Sequence, residues 1–334
     1  MRTIGAVSML VLAGALQAWA ADGPVDQTFQ LKKVHLDGLV AQVTFDNAST
    51  AGVHVQASGK PEVLKRLEVR TIGDEVFVHL ADSPGGDAWF PWNLFNQWSD
   101  KSHISDLQVH ISAPLGTGVE IEDMVGSITA GDLDAPLSLE GASIKARFGR
   151  VTTARVSLAG SGEIVLGAVQ ETLDMNVAGS GKFSAASAAS ARIEIAGGGS
   201  VDIGPIATSL KTEVAGSGNI HVASINGPLE VSIAGSGSVI VNGGRATPLK
   251  AEIAGSGDIV LNGEAVDPNV AIFGSGSVKV RSYTGQLRKE IAGSGDWIVM
   301  GQGQTSSTTV APMAPPSPPS PPSPPSPPSP KVHH

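Results

Sequence analysis

The tetrapeptide Ala-Gly-Ser-Gly begins at Ala159, Ala178, Ala215, Ala234, Ala254 and Ala292, and the variants Ala196-Gly-Gly-Gly199 and Phe273-Gly-Ser-Gly276 fall in phase with it. Successive starts lie 19, 18, 19, 19, 20, 19 and 19 residues apart. A period of this length marks a repeat protein, in which each unit is one supersecondary element that covers its apolar face only by stacking on its neighbours.

Every repeat has the same grammar, and Leu229-Glu-Val-Ser-Ile-Ala-Gly-Ser-Gly-Ser-Val-Ile-Val241 displays it: alternation, a small-residue turn, then alternation again. Strand side chains alternate faces with period two. Leu229, Val231, Ile233, Val239 and Val241 therefore point inward, and Glu230, Ser232, Ser238 and Ile240 outward. The inward set recurs before the turn as Met175/Val177, Ile193/Ile195, Thr212/Val214, Ala251/Ile253 and Val270/Ile272. After the turn it recurs as Ile164/Leu166, Val201/Ile203, Ile220/Val222, Ile259/Leu261, Val278/Val280 and Trp297/Val299.

The repeats carry no sustained 3.6-residue period, so crossover helices are excluded and parallel pairing must come from winding the strands themselves. The predicted fold is an all-β, single-stranded parallel β-solenoid with about 19 residues per coil. A corner repeated in every coil needs residues that tolerate positive φ and the close approach of a neighbouring coil. The predicted structural turns are Gly160, Gly162, Gly179, Gly181, Gly216, Gly218, Gly235, Gly237, Gly255, Gly257, Gly274, Gly276, Gly293 and Gly295. A degenerate turn at Gly141-Ala-Ser143 extends the phase one coil upstream.

The chain opens with Met1-Arg2, an apolar run from Ile4 to Leu16 and the small-residue site Ala18-Trp19-Ala20, so residues 1–20 read as a secretory signal peptide. The run is too short to span a bilayer and no second long apolar segment follows, so no integral membrane segment is expected in the mature chain. The expected destination is the periplasm, the outer surface or the medium. With no cysteine, disulfides and thiolate metal sites are excluded. A net charge of −9 argues against nucleic acid as a partner.

Residues 21–82 form a β-rich region outside the strict period, with strands expected over Val34–Phe45, Gly52–Gln56, Leu67–Arg70 and Glu75–Leu80 and a helical turn or two at Pro61–Arg66. This region is expected to close an end of the solenoid that would otherwise expose unpaired strand edges. Residues 83–103 break the pattern with Trp89, Phe90, Trp92, Phe95 and Trp98. These rings either pack as a lid or form an exposed patch for a partner, since tryptophan concentrates binding energy. Residues 104–300 hold the solenoid, and residues 301–334 run through a Gly/Ser/Thr stretch into Pro-Pro-Ser repeats, a polyproline II spacer.

The β-rich start from Val34 to Leu80, followed by recurring [VI]-A-G-S-G-x-[IV]-x-[VL] units from Val156 to Val299, resembles the bacterial autotransporter adhesin head, or GIN, domain family over residues 28 to 300. The resemblance implies a right-handed β-solenoid exposed in or outside the bacterial envelope, with adhesion as its proposed role. Autotransporters carry a large outer-membrane barrel. Here 34 residues follow Met300, 16 of them in the proline rod Pro315–Pro330, so self-translocation is not expected.

On the outward face, Arg192, Lys211, Lys250 and Arg288 lie two residues before Glu194, Glu213, Glu252 and Glu290, giving a charged strip. Its first reading is solubility, each exposed pair contributing a few tenths of a kcal/mol; its second is recognition of a repetitive polymer. Connections such as Ala223–Pro228 and Asn242–Pro248 leave little material for a catalytic cleft. Glycine-rich calcium repeats do not fit, because the Asp258 and Asp296 slot elsewhere holds Glu163, Lys182 or Asn219. The histidines at 35, 54, 79, 103, 110 and 221 show no metal-ligand spacing, and His333-His334 reads as a solvated end. The sequence therefore predicts a non-enzymatic exported protein without catalytic residues, metal or cofactor. It binds a glycan, a cell-wall polymer or a surface protein as an adhesin head, or else serves as a periplasmic structural scaffold.

Overall fold

The computed structural model describes residues 9–11, 25–48, 52–81, 107–301 and 308–309. Within residues 1–20 this leaves only the short strand Met9–Val11. The remainder of that segment, the aromatic run 89–98 and the proline-rich tail lie outside the described residues. The chain forms two compact units that meet in sequence at Thr152 and Thr153.

The second unit is a parallel β-solenoid, and the repeat accounts for it residue by residue. Strands Glu163–Gly179, Lys182–Gly197, Ser200–Gly216 and Asn219–Gly235 each run from one glycine corner to the next. Each coil lies in parallel register on its neighbour, with Leu210 opposite Leu229, Val214 opposite Ile233 and Gly216 opposite Gly235. The predicted inward pairs from Ile164 to Val280 are all 5% exposed or less. A further inward row, Val169, Ala188, Ile206 and Ile225, is equally buried. It lies beside register shifts at Val169/Thr172 and Ala188/Ser190. In these coils the second corner is therefore a bulge, which bends the strand, and further on the shift falls between Gly227, with φ 142°, and Leu229. At Trp297 and Val299 the inward phase persists, but these residues are only half-buried, and Ile298 and Met300 are 38% and 47% exposed. Beyond them the described residues supply only Thr308–Thr309, paired with Leu287 and Arg288.

The two glycines of each corner do different work, as Gly216 and Gly218 show. Gly216 has φ +125°, and a Cβ there would stand 2.6 Å from Gly197 O. Gly218 has no such conformation, but its Cβ would stand 2.8 Å from Ile195 Cγ2 of the preceding coil. The corners are themselves hydrogen-bonded coil to coil: Ser217 N–H donates to Gly197 O at 2.9 Å and Asn219 N–H to Gly199 O at 2.9 Å. The second glycine is thus fixed by packing, not by φ.

The first unit is also built of stacked parallel strands, but threaded out of sequence order. Lys33–Asp37 lies between Glu75–Leu80 and Gly118–Glu122, parallel to both. Val40–Asn47 lies between Leu107–Ala113 and Val125–Ala130 in the same way. The corners Gly38 (φ 59°) and Asp123 (φ 50°) join such strand pairs, and Gly38 N–H donates to Glu122 O. The predicted degenerate turn at Gly141–Ser143 is a corner too, between strands Leu137–Gly141 and Ser143–Phe148. Val53–Gly59 adds antiparallel to Leu107–Ala113, and Leu67–Ile72 antiparallel to Glu75–Leu80. The predicted helical turn is the helix Pro61–Leu64, with proline at its first position, where a missing N–H costs nothing.

Candidate functional site

Two outward surfaces carry chemistry. On the second unit, the column Asp174, Arg192, Lys211, Glu230, Lys250, Asn269, Arg288 runs across the coils in register. Beside it run Asn176, Glu194, Glu213, Ser232, Glu252, Ala271 and Glu290. Three predicted pairs form, Arg192–Glu194 at 3.0 Å, Lys211–Glu213 at 3.1 Å and Lys250–Glu252 at 3.2 Å. The columns also bond between coils, Lys250 Nζ reaching Glu230 at 2.9 Å. That ammonium holds the Glu230 carboxyl below its usual range. The Glu230 contact in turn raises the Lys250 pKa.

Where the charged columns meet the bulged corner lies a shallow depression of about 260 Å³, lined by Thr172, Ser190, Ser209, Arg192, Lys211 and Glu230 among others. Thr172 Oγ1 and Ser190 Oγ are 3.2 Å apart, and Ser190 is in register with Ser209. The depression therefore presents three hydroxyls and two cations, carried on strands stacked about 4.8 Å apart.

On the first unit, the out-of-order threading collects titratable groups from three stacked strands. Alternation turns Lys33, His35 and Asp37 outward while Val34 and Leu36 are fully buried. The register sets His35 beside Phe77 on one side and Glu120 on the other, and Asp37 beside His79 and Glu122. Lys33 Nζ bonds Glu75 and, at 2.9 Å, Glu120, which raises the lysine pKa. His35 Nδ1 lies 3.5 Å from Glu75 Oε2, and Nε2 lies 3.3 Å from Glu122 Oε2. Burial lowers the His35 pKa, but contact with Glu122 and the charges of Glu120 and Asp37 outweigh it and raise the value overall. The edge of Phe77 meets the His35 ring at 5.0 Å, and Arg70 stacks on Phe77 at 5.1 Å. His54 and His110 likewise face acids of neighbouring strands, at 2.5 Å from Asp26 and 3.4 Å from Asp46.

Sequence spacing gave the charged strip and missed the histidine cluster. His35, Glu75 and Glu120 are 40 and 45 residues apart in turn, and only the non-sequential stacking makes their ligand atoms neighbours, within 4.8 Å of one another. Trp89, Phe90, Trp92, Phe95 and Trp98 lie outside the described residues. Glu75–Leu80 and Leu107–Ala113 are the lateral neighbours of Lys33–Asp37 and Val40–Asn47, a pair joined by Gly38 and Leu39 alone. The equivalent strands Lys33–Asp37 and Val40–Asn47 thus turn through a two-residue corner.

No curated protein matches the chain. Among solved structures it is similar to a putative adhesin from Parabacteroides distasonis ATCC 8503, at 12% identity, covering 91% of this chain and 99% of that one, with a TM-score of 0.38. It is similar to a putative lipid binding protein from the same strain, at 12% identity over 88% and 99% of the two chains, TM-score 0.41. A putative adhesin from Parabacteroides merdae ATCC 43184 gives 13% identity over 88% and 99%, TM-score 0.37. Residues 40–225 and 224–311 match the family described as "Putative auto-transporter adhesin, head GIN domain". With most of its length matched and the repeat built into a parallel β-solenoid, the chain belongs to the auto-transporter adhesin head GIN domain family.

Proposed function

We propose that this protein is the non-enzymatic binding head of an exported envelope protein and that it holds a glycan or similar repetitive surface polymer. Its family is the one described as "Putative auto-transporter adhesin, head GIN domain". The observation that carries the reading to a ligand class is the outward face of the second unit. There the hydroxyls of Thr172, Ser190 and Ser209 and the cations Arg192 and Lys211 lie in register on successive coils around the Thr172–Glu230 depression. A polymer with a repeating unit can engage several such coils at once, so weak single contacts add through multivalency. The short corners keep this surface open, which suits a chain passing along it better than a small molecule enclosed for reaction.

The test is an array of glycans and envelope polymers probed with the full chain, with an Arg192→Ala/Lys211→Ala variant and with a Trp89→Ala/Trp92→Ala/Trp98→Ala variant. The proposal expects retention of one polymer class, lost in the arginine–lysine variant while its circular dichroism is unchanged. Loss only in the tryptophan variant moves the site to the aromatic insertion. Absence of retention by the wild-type chain on every polymer refutes the binding-head reading and leaves a scaffold.

A further inference from the structure

The cluster around His35 is unused by a polymer-binding face on the other unit, and its composition is unlike anything in the repeat. Three carboxylates, Glu75, Glu120 and Glu122, surround one imidazole and one ammonium. With His35 neutral, the local charge is negative even after Lys33 is counted. The imidazole meets a carboxylate at each ring nitrogen, at 3.5 and 3.3 Å. A neutral ring has one N–H, so one nitrogen must direct its lone pair at an anion. Nε2 is moreover shielded from solvent and makes no hydrogen bond of good geometry. A second ring proton, or a cation placed between the ring and the acids, relieves this arrangement.

We propose that His35, Glu75 and Glu120 form a binding site for a divalent transition-metal ion of the zinc type, and that the Lys33 ammonium is a displaceable counter-ion within it. One imidazole nitrogen with two carboxylate oxygens is a donor set suited to zinc and its neighbours, with water completing the shell. It is a poor set for calcium, which prefers six to eight oxygens. The three donor atoms already lie within 4.8 Å of one another. Four-coordinate zinc with bonds near 2.0–2.1 Å requires donors about 3.3 Å apart, a closure that side-chain rotation supplies. The ring is preoriented by the edge contact with Phe77, and all three ligands stand on paired strands. Lys33 is 40% exposed at its side chain, so its ammonium can leave for water when the ion enters.

The test is calorimetric titration of the metal-stripped full chain with Zn²⁺ alone, repeated with Ca²⁺. His35→Gln, a Glu75→Gln/Glu120→Gln double variant and Lys33→Met are compared with wild type, and the terminal His333-His334 pair is common to all of them. The expected result is one Zn²⁺ equivalent in wild type that weakens at least about tenfold in His35→Gln and in the double variant. Lys33→Met, which removes the competing cation, tightens binding by about tenfold or more, a gain that misfolding cannot produce. Ca²⁺ neither fills the site nor displaces Zn²⁺. Identical Zn²⁺ isotherms for wild type, His35→Gln and Lys33→Met overturn the proposal, and so does a site that takes Ca²⁺ as readily as Zn²⁺.

Discussion

Thr212 offers a prediction of unusual sign, because replacing a native core residue should stabilise the protein. It occupies an inward position in register with Ile193 on one coil and Val231 on the next, it is fully buried, and its Oγ1 has no hydrogen-bond partner in the protein. A hydroxyl buried without a partner costs about 1–3 kcal/mol. Valine has the same branched shape and puts a methyl where the hydroxyl stands, adding apolar burial. Thr212→Val should therefore gain about 1–2 kcal/mol. In a domain of 150–250 residues each kcal/mol moves the melting temperature by about 2–4 °C, so a rise of about 2–8 °C is expected. Urea unfolding followed by far-ultraviolet circular dichroism measures it, with an unchanged slope showing that compactness is unaltered. Because coils touch only their neighbours, amide exchange should slow chiefly in the strands between Lys182 and Gly235. Thr212→Ser keeps the hydroxyl and deletes the methyl, so it should lose about 1 kcal/mol. A Thr212→Val protein no more stable than wild type would refute the argument.

Other expectations separate the causes of the fold. Gly235→Ala should destabilise by about 2–4 kcal/mol, since φ is +129° and the new Cβ would stand 2.4 Å from Gly216 O. Gly243→Ala, whose Cβ would meet only Ala223 O at 3.8 Å, should be neutral or slightly stabilising; equal urea midpoints for the two variants would contradict the close-approach account. Glu140 is exposed, but partial desolvation and then the charges of Asp123 and Glu122 raise its pKa. The folded state thus holds the Glu140 proton more tightly than the unfolded chain, so the ionised group weakens folding at neutral pH and the penalty vanishes as pH falls through the raised value. Glu140→Gln should melt slightly higher than wild type at pH 7 and level with it near pH 4, and differential scanning fluorimetry across that range tests both ends.

The repeat was legible because a β-solenoid writes its geometry into every coil. Alternation assigned the inward rows from Ile164 to Val280, and the doubled glycines located each corner. The bulged second corner was less visible, because Val169, Ala188 and Ile206 bend the strand through register and not through a special residue type. At the charged strip, alternation gave the face and the period gave the columns. The contact from Lys250 back to Glu230 of the preceding coil appeared only in the structure.

What the sequence by itself determined is whatever depends on neighbours one coil away: the parallel stacking, the core rows, the corners and the ladder of outward charges. A near-constant period makes every such contact a local rule, since each position meets the one 18 to 20 residues on. What only the tertiary structure decided is the first unit, where Lys33–Asp37 lies between Glu75–Leu80 and Gly118–Glu122. No period relates these segments, and their order in space differs from their order along the chain. His35, Glu75 and Glu120 meet because backbone pairing of distant strands brings their outward side chains to one place, a choice made by the packing of Val34, Leu36, Val76, Val78, Val119 and Ile121 beneath them.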